Sequence, residues 1–395
     1  MSFPRIEDAP SNKTALVRVD FNVPMADGKV SDDTRLRAAL PTIQALTAKG
    51  CKVALLAHFD RPKGKRVPSM SLAPLAAPLA KLLEAPVAFA EDCVGPAAAS
   101  AIAALAPGGI VLLENTRFHD GEEKNDPALV AEMAKLGDFY VNDAFSAAHR
   151  AHASTEGLAH ALPAYAGKAM EAELVALDAA LGNPRRPVLG IVGGSKVSTK
   201  IDLLKNLVTK LDRLCIGGAM ANTFLFAQGW DVGASYCEKD LADTAREIMK
   251  LAGKHKCELL LPIDTIVAEK LDARAPAFVR GLGDIDDDER ILDAGPETIA
   301  RLTKAMDESN TLIWNGPLGV FETPPFDHGT VAAARHAAAR AKNGKLIAVA
   351  GGGDTVAALH HAGVADDMTF VSTAGGAFLE WMEGKPLPGV QALKR

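Results

Sequence analysis

Cationic and polar side chains follow several short apolar runs in the first half of the chain, where they could bind a small polyanion. The residues concerned are Asp20, Asn22, Arg35, His58, Arg61, Arg117 and Arg150. The planar guanidinium of arginine suits carboxylate and phosphate oxygens, because it offers parallel N–H donors. Any one of these arginines, taken alone, is more often a solvated surface charge. Four of them at matching places favour an anion site.

Glycine-rich turns follow the apolar runs of the second half and could hold phosphate groups. The turns lie at 193–200, 217–222, 315–319, 351–355 and 372–376. Glycines let backbone N–H groups approach phosphate oxygens, and a helix that begins there adds the positive end of its dipole. Because glycine pairs are also common in turns between strands and helices, a purely structural role stays equally open for any single turn.

Two lysines and one aspartate in these turns carry the sharpest chemical signal. The turn 193–200 is expected to enter a helix that carries Lys196 and Lys200, four residues apart. Asp354 follows three glycines, and a carboxylate there repels phosphate unless a cation such as Mg²⁺ lies between them. A helix-capping aspartate is the alternative, and the two roles are compatible.

The familiar nucleotide-binding motifs are missing from the sequence. Neither G-x-G-x-x-G nor G-x-x-x-x-G-K-[ST] occurs anywhere in the chain. Their absence argues against a dinucleotide-binding dehydrogenase and against a P-loop ATPase.

The elements that must position these residues alternate as they do in α/β proteins. Short runs rich in Val, Leu and Ile alternate with Ala-rich amphipathic stretches, which is typical of β-α-β units and a parallel sheet. Ligands of such sheets bind beyond the carboxyl ends of the strands. We expect strands at 15–19, 52–57, 110–113, 138–141, 187–192, 213–216, 258–261, 311–314, 345–350 and 368–371.

We therefore predict an α/β fold with two doubly wound parallel-sheet domains, separated by a cleft and joined by a helix. The first domain is expected at 1–170 and the second at 188–375, with a linking helix and hinge at 171–187. A C-terminal segment, 376–395, is expected to pack back on the first domain. The charged run 284–290 is interpreted as a solvated loop.

Composition and charge exclude several other classes of protein. Lys and Arg number 43 against 49 Asp and Glu, so the formal charge is -6 and no partner such as nucleic acid or an anionic membrane is expected. Five scattered cysteines without a C-x-x-C pair are expected to be buried thiols in a reducing compartment. The N-terminus lacks an apolar targeting segment, and we expect a cytoplasmic protein.

Several of these motifs together resemble the phosphoglycerate kinase family. The matching segments are 18–24 (RVDFNVP), 114–118 (ENTRF), 148–152 (AHRAH), 193–200 (GGSKVSTK), 314–322 (WNGPLGVFE) and 351–355 (GGGDT). They follow the family's order and extend over almost the whole chain. The resemblance implies a hinge-bending enzyme that moves a phosphoryl group between 1,3-bisphosphoglycerate and MgADP, giving 3-phosphoglycerate and MgATP. We expect it to be a monomer.

The resemblance also implies roles for individual residues. The first domain would be the substrate domain, and its seven residues named above would hold the glycerate ligand. The second would bind the nucleotide through Lys200, Gly217, Gly218, Glu322, Gly352, Gly353, Asp354 and Thr355. Among these, Gly217 and Gly218 would lie near the adenine, Glu322 at the ribose hydroxyls and Asp354 at the Mg²⁺. Arg35, Lys196 and Lys200 would act in catalysis.

Three positions depart from the family pattern. Asp60 stands where a glycine is usual, Ser146-Ala147 where Gly-Thr is usual, and Ala374 where a third glycine is usual. Since none replaces a named ligand, we expect them to affect affinity and not the reaction.

Two alternative functions are a kinase for another small phosphorylated acid and a catalytically silent nucleotide-binding protein. The intact Lys200 and Asp354 argue against silence.

Overall fold

Runs of Val, Leu and Ile form the central strands of two parallel sheets in the computed structural model, which describes residues 3–394. Backbone contacts divide the chain into two units. The first unit is Met1–Val175 with Pro386–Arg395, and the second is Ala176–Lys385. Each unit contains a six-stranded parallel sheet with helices along it, which confirms the predicted α/β fold class.

The first unit combines its parallel sheet with one small hairpin. Its strands are β1 (Thr14–Arg18), β2 (Met25–Ala26), β3 (Lys29–Val30), β4 (Lys52–Leu56), β5 (Val87–Ala90), β6 (Ile110–Leu113), β7 (Phe139–Asn142) and β8 (Ala164–Ala166). Strands β2 and β3 form the hairpin, and the other six lie in the order β5-β6-β4-β1-β7-β8. All residues of β6 and β7 are buried, as expected for parallel strands covered on both faces.

Helices connect these strands and complete the first unit. They are α1 (Thr34–Ala48), α2 (Ala76–Leu83), α3 (Gly95–Ala103), α4 (Pro127–Ala134), α5 (Leu158–Ala161) and α6 (Lys168–Leu177). Helix α6 carries the chain across the division between the units and covers part of the predicted linking helix.

The second unit has a parallel sheet and a separate antiparallel one. Its strands are β9 (Val188–Val192), β10 (Arg213–Ile216), β11 (Glu258–Leu260), β12 (Asp264–Ala268), β13 (Phe278–Gly281), β14 (Arg290–Ala294), β15 (Thr311–Asn315), β16 (Ile347–Gly351) and β17 (Phe370–Ser372). The parallel sheet has the order β11-β10-β9-β15-β16-β17, and the antiparallel sheet has the order β13-β12-β14.

The remaining helices lie between these strands and at the end of the chain. They are α7 (Ile201–Leu207), α8 (Ala219–Ala227), α9 (Ala242–His255), α10 (Pro296–Asp307), α11 (His328–Lys342), α12 (Gly353–His361), α13 (Gly376–Met382) and α14 (Pro388–Gln391). The expected C-terminal segment 376–395 divides: α13 belongs to the second unit, while the residues from Pro386 belong to the first.

All ten expected strands are present, with ends displaced by at most two residues. The sequence analysis did not predict β5, β8, the hairpin or the antiparallel sheet. Strands β5 (VAFA) and β8 (AYA) are rich in alanine, which is depleted in strands, so they lack the Val, Leu and Ile runs that identified the others. The run 284–290 is only partly the solvated loop that we predicted, because Glu289 is buried and forms an ion pair with Arg280 at 2.8 Å.

The cysteines behave largely as expected. Four cysteines are buried, but Cys237 is partly exposed, so the prediction was wrong for that residue. The stretch 93–113 forms α3 and β6. Within residues 3–394, we find no helix of the length and apolarity needed to span a membrane.

Candidate active site

Six of the seven predicted anion ligands of the first unit lie in connections that leave neighbouring parallel strands at the same edge, and the seventh lies on a helix. Asp20 and Asn22 follow β1, His58 and Arg61 follow β4, and Arg117 follows β6. Arg150 follows β7, and Arg35 lies in the first turn of α1. Strands β6, β4, β1 and β7 are consecutive in the sheet, so the topology groups these loops.

Asp20 holds Arg35 in place. The Nη1 of Arg35 donates to Oδ1 of Asp20 at 3.1 Å and to the carbonyl oxygen of Asn22 at 2.9 Å. The other carboxylate oxygen of Asp20 accepts a hydrogen bond from Ser146 Oγ at 2.6 Å. Ser146, one of the departures from the family pattern, therefore supports the aspartate that orients Arg35.

His58 is buried against an arginine that the sequence analysis did not select. Arg18, at the end of β1, is 1% exposed and lies with Nη2 2.9 Å from Nδ1 of His58. Its Nε donates to Ser154 Oγ at 2.9 Å. Burial, together with the charges of Arg18, Arg117 and Arg150, holds the pKa of His58 well below its usual range. The available signal was the place of Arg18 as the first residue of the segment 18–24.

Arg117, Arg150 and His152 interact electrostatically with one another and with Arg18. Burial lowers the pKa of Arg117, and the neighbouring charges of Arg150 and Arg18 lower it further, against the opposite effect of Glu123. Burial and the charges of Arg117, Arg18 and Arg150 lower the pKa of His152 to about 4. Such a concentration of positive charge stabilises a bound anion.

Asp60 acts through its backbone. Its φ of 53° lies in the left-handed region, which glycine adopts more readily than other residues. This accounts for the glycine that is usual at this position. The N–H of Asp60 donates to Oδ1 of Asn22 at 3.0 Å, and its carbonyl oxygen accepts from Nη1 of Arg117 at 2.7 Å. Its carboxylate is exposed.

The glycine turns of the second unit pack backbone against backbone. A Cβ on Gly193 would lie 1.8 Å from the carbonyl oxygen of Pro317, and one on Gly316 would lie 2.3 Å from the carbonyl oxygen of Gly193. Gly316 and Gly218 also have φ angles of 99° and 66°. These positions therefore need glycine for structural reasons, whatever they bind.

Lys200 lies in a different local structure from the one we predicted. Helix α7 begins at Ile201, with Lys200 as its N-cap, so Lys196 and Lys200 lie in the loop and are not one helical turn apart. The Nζ of Lys200 donates to the carbonyl oxygen of Gly193 at 2.6 Å and to Oδ1 of Asn315 at 2.7 Å. Burial lowers the pKa of Lys200 to about 8, and the charge of Asp354 opposes the shift. Lys196 is exposed.

Asn315 and Thr355 connect three of the turns. Asn315 Nδ2 donates to the carbonyl oxygen of Gly351 at 2.8 Å while its Oδ1 accepts from Lys200. Thr355 Oγ1 accepts from the N–H of Gly316 at 2.7 Å and donates to Gly351 O at 2.8 Å. The sequence analysis placed Thr355 among the ligands and did not select Asn315. Its position as the first residue of the turn 315–319, directly after an expected strand, was the available signal.

A cavity of about 260 Å³ in the second unit is lined by predicted nucleotide ligands and apolar side chains. Gly217, Gly218, Glu322 and Asp354 border it, together with apolar residues such as Leu318. Glu322, Gly353 and Asp354 are exposed, whereas Gly352 and Thr355 are buried. A partly apolar wall with polar groups at the border fits a flat aromatic base that carries a hydroxylated substituent.

Two helix N-termini also lie at the predicted nucleotide ligands. Helix α8 has Gly218 as its N-cap, and α12 has Gly352. In α8 the N–H of Met220 already donates to the carbonyl oxygen of Gly194 at 2.9 Å. No side chain caps α12, so the first N–H groups of α12 are the ones available to an anion. Asp354 is the second residue of α12, so the alternative reading of Asp354 as the N-cap was wrong.

A buried aspartate in the wall of this cavity was also missed. Asp293 accepts hydrogen bonds from the backbone N–H groups of Gly329 at 2.7 Å and Ala294 at 2.8 Å. Burial raises its pKa to about 7. A Cβ on Gly319 would lie 2.2 Å from Asp293 Oδ1, so the aspartate packs against the turn that follows β15.

Comparison with known proteins gives one consistent result. The profile described as phosphoglycerate kinase matches residues 6–385. Phosphoglycerate kinase of Caulobacter vibrioides (strain NA1000 / CB15N) is 70% identical over 395 residues and covers 100% of both chains. That of Rhodopseudomonas palustris is 64% identical over 382 residues, which are 97% of this chain and 96% of the relative.

Solved structures agree with the sequence comparisons. The structure of phosphoglycerate kinase from Coxiella burnetii is 43% identical, with a TM-score of 0.94 over 99% of both chains. The enzyme from Pyrococcus horikoshii OT3 is 31% identical, with a TM-score of 0.80 over 99% of this chain and 98% of that one.

Proposed function

Because this chain belongs to the phosphoglycerate kinase family and transfers a phosphoryl group between 1,3-bisphosphoglycerate and ADP, giving 3-phosphoglycerate and ATP, we propose that each unit binds one substrate. The observation that carries this assignment is that the cationic side chains and the glycine-rich turns lie in different units. The cation cluster around Arg117 and Arg150 lies in the first unit. The glycine turns and the cavity lie in the second.

The first unit supplies ligands for phosphoglycerate. Arg61, Arg117, Arg150 and His58 bind the phosphate and carboxylate oxygens, because these are the anionic groups of the ligand and charge-assisted hydrogen bonds favour them. Asp20 and Asn22 position Arg35 and bind the hydroxyl group, which can donate to a carboxylate or amide oxygen. Arg35 then contacts the phosphoryl group that moves.

The second unit binds the nucleotide. Gly217 and Gly218 lie against the base, Glu322 accepts hydrogen bonds from the ribose hydroxyls, and the N-terminus of α12 binds the outer phosphates through Gly352, Gly353 and Thr355. Lys196 and Lys200 neutralise phosphate oxygens. The exposed carboxylate of Asp354 is a hard oxygen donor of the kind that Mg²⁺ accepts, so Asp354 would hold the ion. When bound, Mg²⁺ supplies positive charge that neutralises the phosphate oxygens.

The chemical step needs positioning and positive charge. In the ATP-consuming direction the nucleophile is the carboxylate of 3-phosphoglycerate, whose pKa near 4 leaves it ionised at neutral pH. No side chain therefore has to remove a proton from it. Arg35 and Lys200 stabilise the charge on the transferring phosphoryl group, and their effect is larger once water is excluded.

Because each substrate has its own unit, we propose that a hinge motion brings the two ligands in line for transfer. We assign this hinge to the region of α6 and the segment that follows it, where the chain passes from one unit to the other. We further propose a cytoplasmic monomer, in keeping with the reducing compartment expected for its unpaired cysteines.

Two exposed residues test the division of substrates between the units. We expect Arg61→Ala to weaken binding of 3-phosphoglycerate by about 10-fold or more and to leave MgADP binding unchanged, since a hydrogen bond to a charged group is worth about 1.5–3 kcal/mol. Glu322→Ala should weaken MgADP alone. Isothermal calorimetry of the full chain with each ligand measures both, and each variant is the other's control. The opposite pattern would reverse the assignment.

His58 is expected to be a neutral hydrogen-bond donor. Arginine can only donate, so Nδ1 of His58 accepts from Arg18, and the ring proton is assigned to Nε2. With the pKa of His58 held well below its usual range, kcat should be flat from about pH 6.5 to 7.5.

The measurement is kcat with both substrates saturating and Mg²⁺ in excess, for wild type and His58→Gln. Both profiles should be flat over this range, and the variant should chiefly raise KM for 3-phosphoglycerate. A steep fall toward low pH with an apparent pKa near 7, lost in His58→Gln together with most activity, would make His58 a catalytic base.

Asp60→Gly is expected to change activity little. The contacts that Asp60 makes with Asn22 and Arg117 use its backbone, which glycine retains in the same left-handed conformation. Removing an exposed negative charge beside an anion site should lower KM for 3-phosphoglycerate by an amount worth about 1 kcal/mol or less. Steady-state kinetics measure it, and Asp27→Gly, at another exposed aspartate with a φ of 50°, is the control. A large loss of kcat would place the Asp60 side chain in the catalytic structure.

A further inference from the structure

Three different donor atoms meet in the first unit, on residues that the proposed function does not use. Asp92 and Cys93 follow β5, and His119 lies just beyond the short helix that follows β6. A carboxylate oxygen, the thiol sulphur and an imidazole nitrogen from these residues all lie within 4.8 Å of one another. Strands β5 and β6 are parallel neighbours, so the pairing of the strands brings the three residues together.

We propose that Asp92, Cys93 and His119 form a zinc site. Sulphur, nitrogen and oxygen donors together are typical of Zn²⁺ and unlike the all-oxygen sets that Mg²⁺ takes. A thiolate and a carboxylate carry two negative charges, which balance the charge of the ion when the histidine is neutral. The ligands number three, and a water molecule completes the tetrahedron, as in open zinc sites.

The distances allow this site with a small adjustment. Zinc bonds of about 2.0–2.3 Å in a tetrahedron place ligand atoms roughly 3.3–3.6 Å apart. Without an ion, His119 Nε2 lies 2.6 Å from Asp92 Oδ1, so that pair must open by less than about 1 Å. The sulphur lies within 4.8 Å of both partners, so it must move inward by at most about 1.2 Å to reach a separation of roughly 3.6 Å.

Neighbouring groups orient the carboxylate of Asp92. Arg66 Nη2 lies 3.3 Å from Oδ2 of Asp92, and Nη1 of the same arginine donates to the carbonyl oxygen of Glu91 at 2.7 Å. The backbone N–H of Cys93 donates to Oδ1 at 2.7 Å. Zinc ligands in proteins are commonly held by such outer hydrogen bonds.

The exposure of the three residues indicates the direction of entry. The side chains of Asp92 and His119 are 29% and 30% exposed, while Cys93 is buried. An ion can therefore reach the site from the Asp92 and His119 side and complete its coordination with the buried sulphur. The thiol loses its proton to solvent as the zinc–sulphur bond forms.

Metal titration of the full chain, stripped with a chelator and free of nucleotide, tests the site. Cobalt(II) is the spectroscopic probe, and Zn²⁺ alone is the calorimetric one. We expect one equivalent of cobalt to give the visible bands of a tetrahedral ion and a thiolate charge-transfer band, both lost when Zn²⁺ displaces it. Cys93→Ser and His119→Gln should each lower zinc affinity by about 100-fold or more, since even outer partners are worth 10–100-fold.

Matched controls separate this site from adventitious binding. Cys237→Ser changes the partly exposed cysteine, and His160→Gln changes an exposed histidine; both should bind zinc as wild type does. Thermal melting should show zinc raising Tm for wild type and controls and not for the two site variants. His119→Gln, at a partly exposed side chain, keeps the test decisive if Cys93→Ser does not fold. Cobalt spectra without a thiolate band, or zinc affinity unchanged in His119→Gln, would overturn the proposal.

Discussion

Replacing Lys200 by alanine is expected to lower kcat by roughly 100-fold or more, while the Kd of MgADP changes little. A loss of this size in kcat is typical when one electrostatic donor is removed from an active site. The Nζ of Lys200 donates hydrogen bonds to the carbonyl oxygen of Gly193 and to Oδ1 of Asn315, so the amine is held beside two glycine turns. The amine can exchange these neutral partners for phosphate oxygens as negative charge develops on those oxygens. Such an interaction strengthens in the transition state and contributes less to ground-state binding.

Single-turnover kinetics and nucleotide calorimetry on the same preparation measure the two quantities. Lys205→Ala is the matched control, because Lys205 lies on α7 with an exposed side chain 3.6 Å from Glu247. Its kcat should equal that of wild type. A Lys200→Ala enzyme that lost nucleotide binding and kept its kcat would show that Lys200 is a ground-state ligand only.

The lowered pKa of Lys200 adds a pH dependence with a definite sign. An amine with a pKa of about 8 is charged below that pH and loses its charge as the pH rises through it. We therefore expect kcat/KM of the free enzyme to fall above about pH 8, and Lys200→Arg, whose guanidinium stays charged, to lack this limb in its residual activity. Bound phosphates favour the charged amine, so the corresponding fall in kcat should occur at higher pH.

Replacing Arg35 by alanine is expected to lower kcat by roughly 1,000-fold, the lower end of the range for arginines that stabilise a transferring phosphoryl group. Asp20 and the carbonyl oxygen of Asn22 both bind Nη1 of Arg35, which fixes the direction of the guanidinium. The side chain is 35% exposed, so its other donors can reach a ligand. Arg35→Lys should restore little, because an ammonium lacks the planar pair of donors.

The control for Arg35 lies two residues away on the same helix. Arg37 is exposed and forms an ion pair with Asp33 at 2.8 Å, and Arg37→Ala should leave kcat unchanged. Steady-state kinetics with saturating substrates measure all three variants, with circular dichroism to show that they fold. An Arg35→Ala enzyme with a raised KM and a normal kcat would mean that Arg35 binds substrate and does not act on the moving phosphoryl group.

The sequence alone determined the fold class, the positions of the main strands and the loops that carry the candidate site. Apolar runs such as 110–113 are long enough and apolar enough to form buried strands in either half of the chain. In parallel sheets the ends of those runs must meet at one edge, so residues such as Arg117 and Asp354 could be selected without coordinates.

Only the tertiary structure decided which groups hold these residues in position. Arg18 supports His58 from inside β1, and Asn315 joins Lys200 to the turn at Gly351. The first contact joins residues 40 positions apart and the second joins residues 115 apart, so no local sequence pattern predicts them. Lys200 lies at the end of a loop and not within a helix, and its amine donates to Gly193 of the same turn and to Asn315 of another. Local spacing predicts periodic elements, but long-range hydrogen bonds decide where the side chains between them lie.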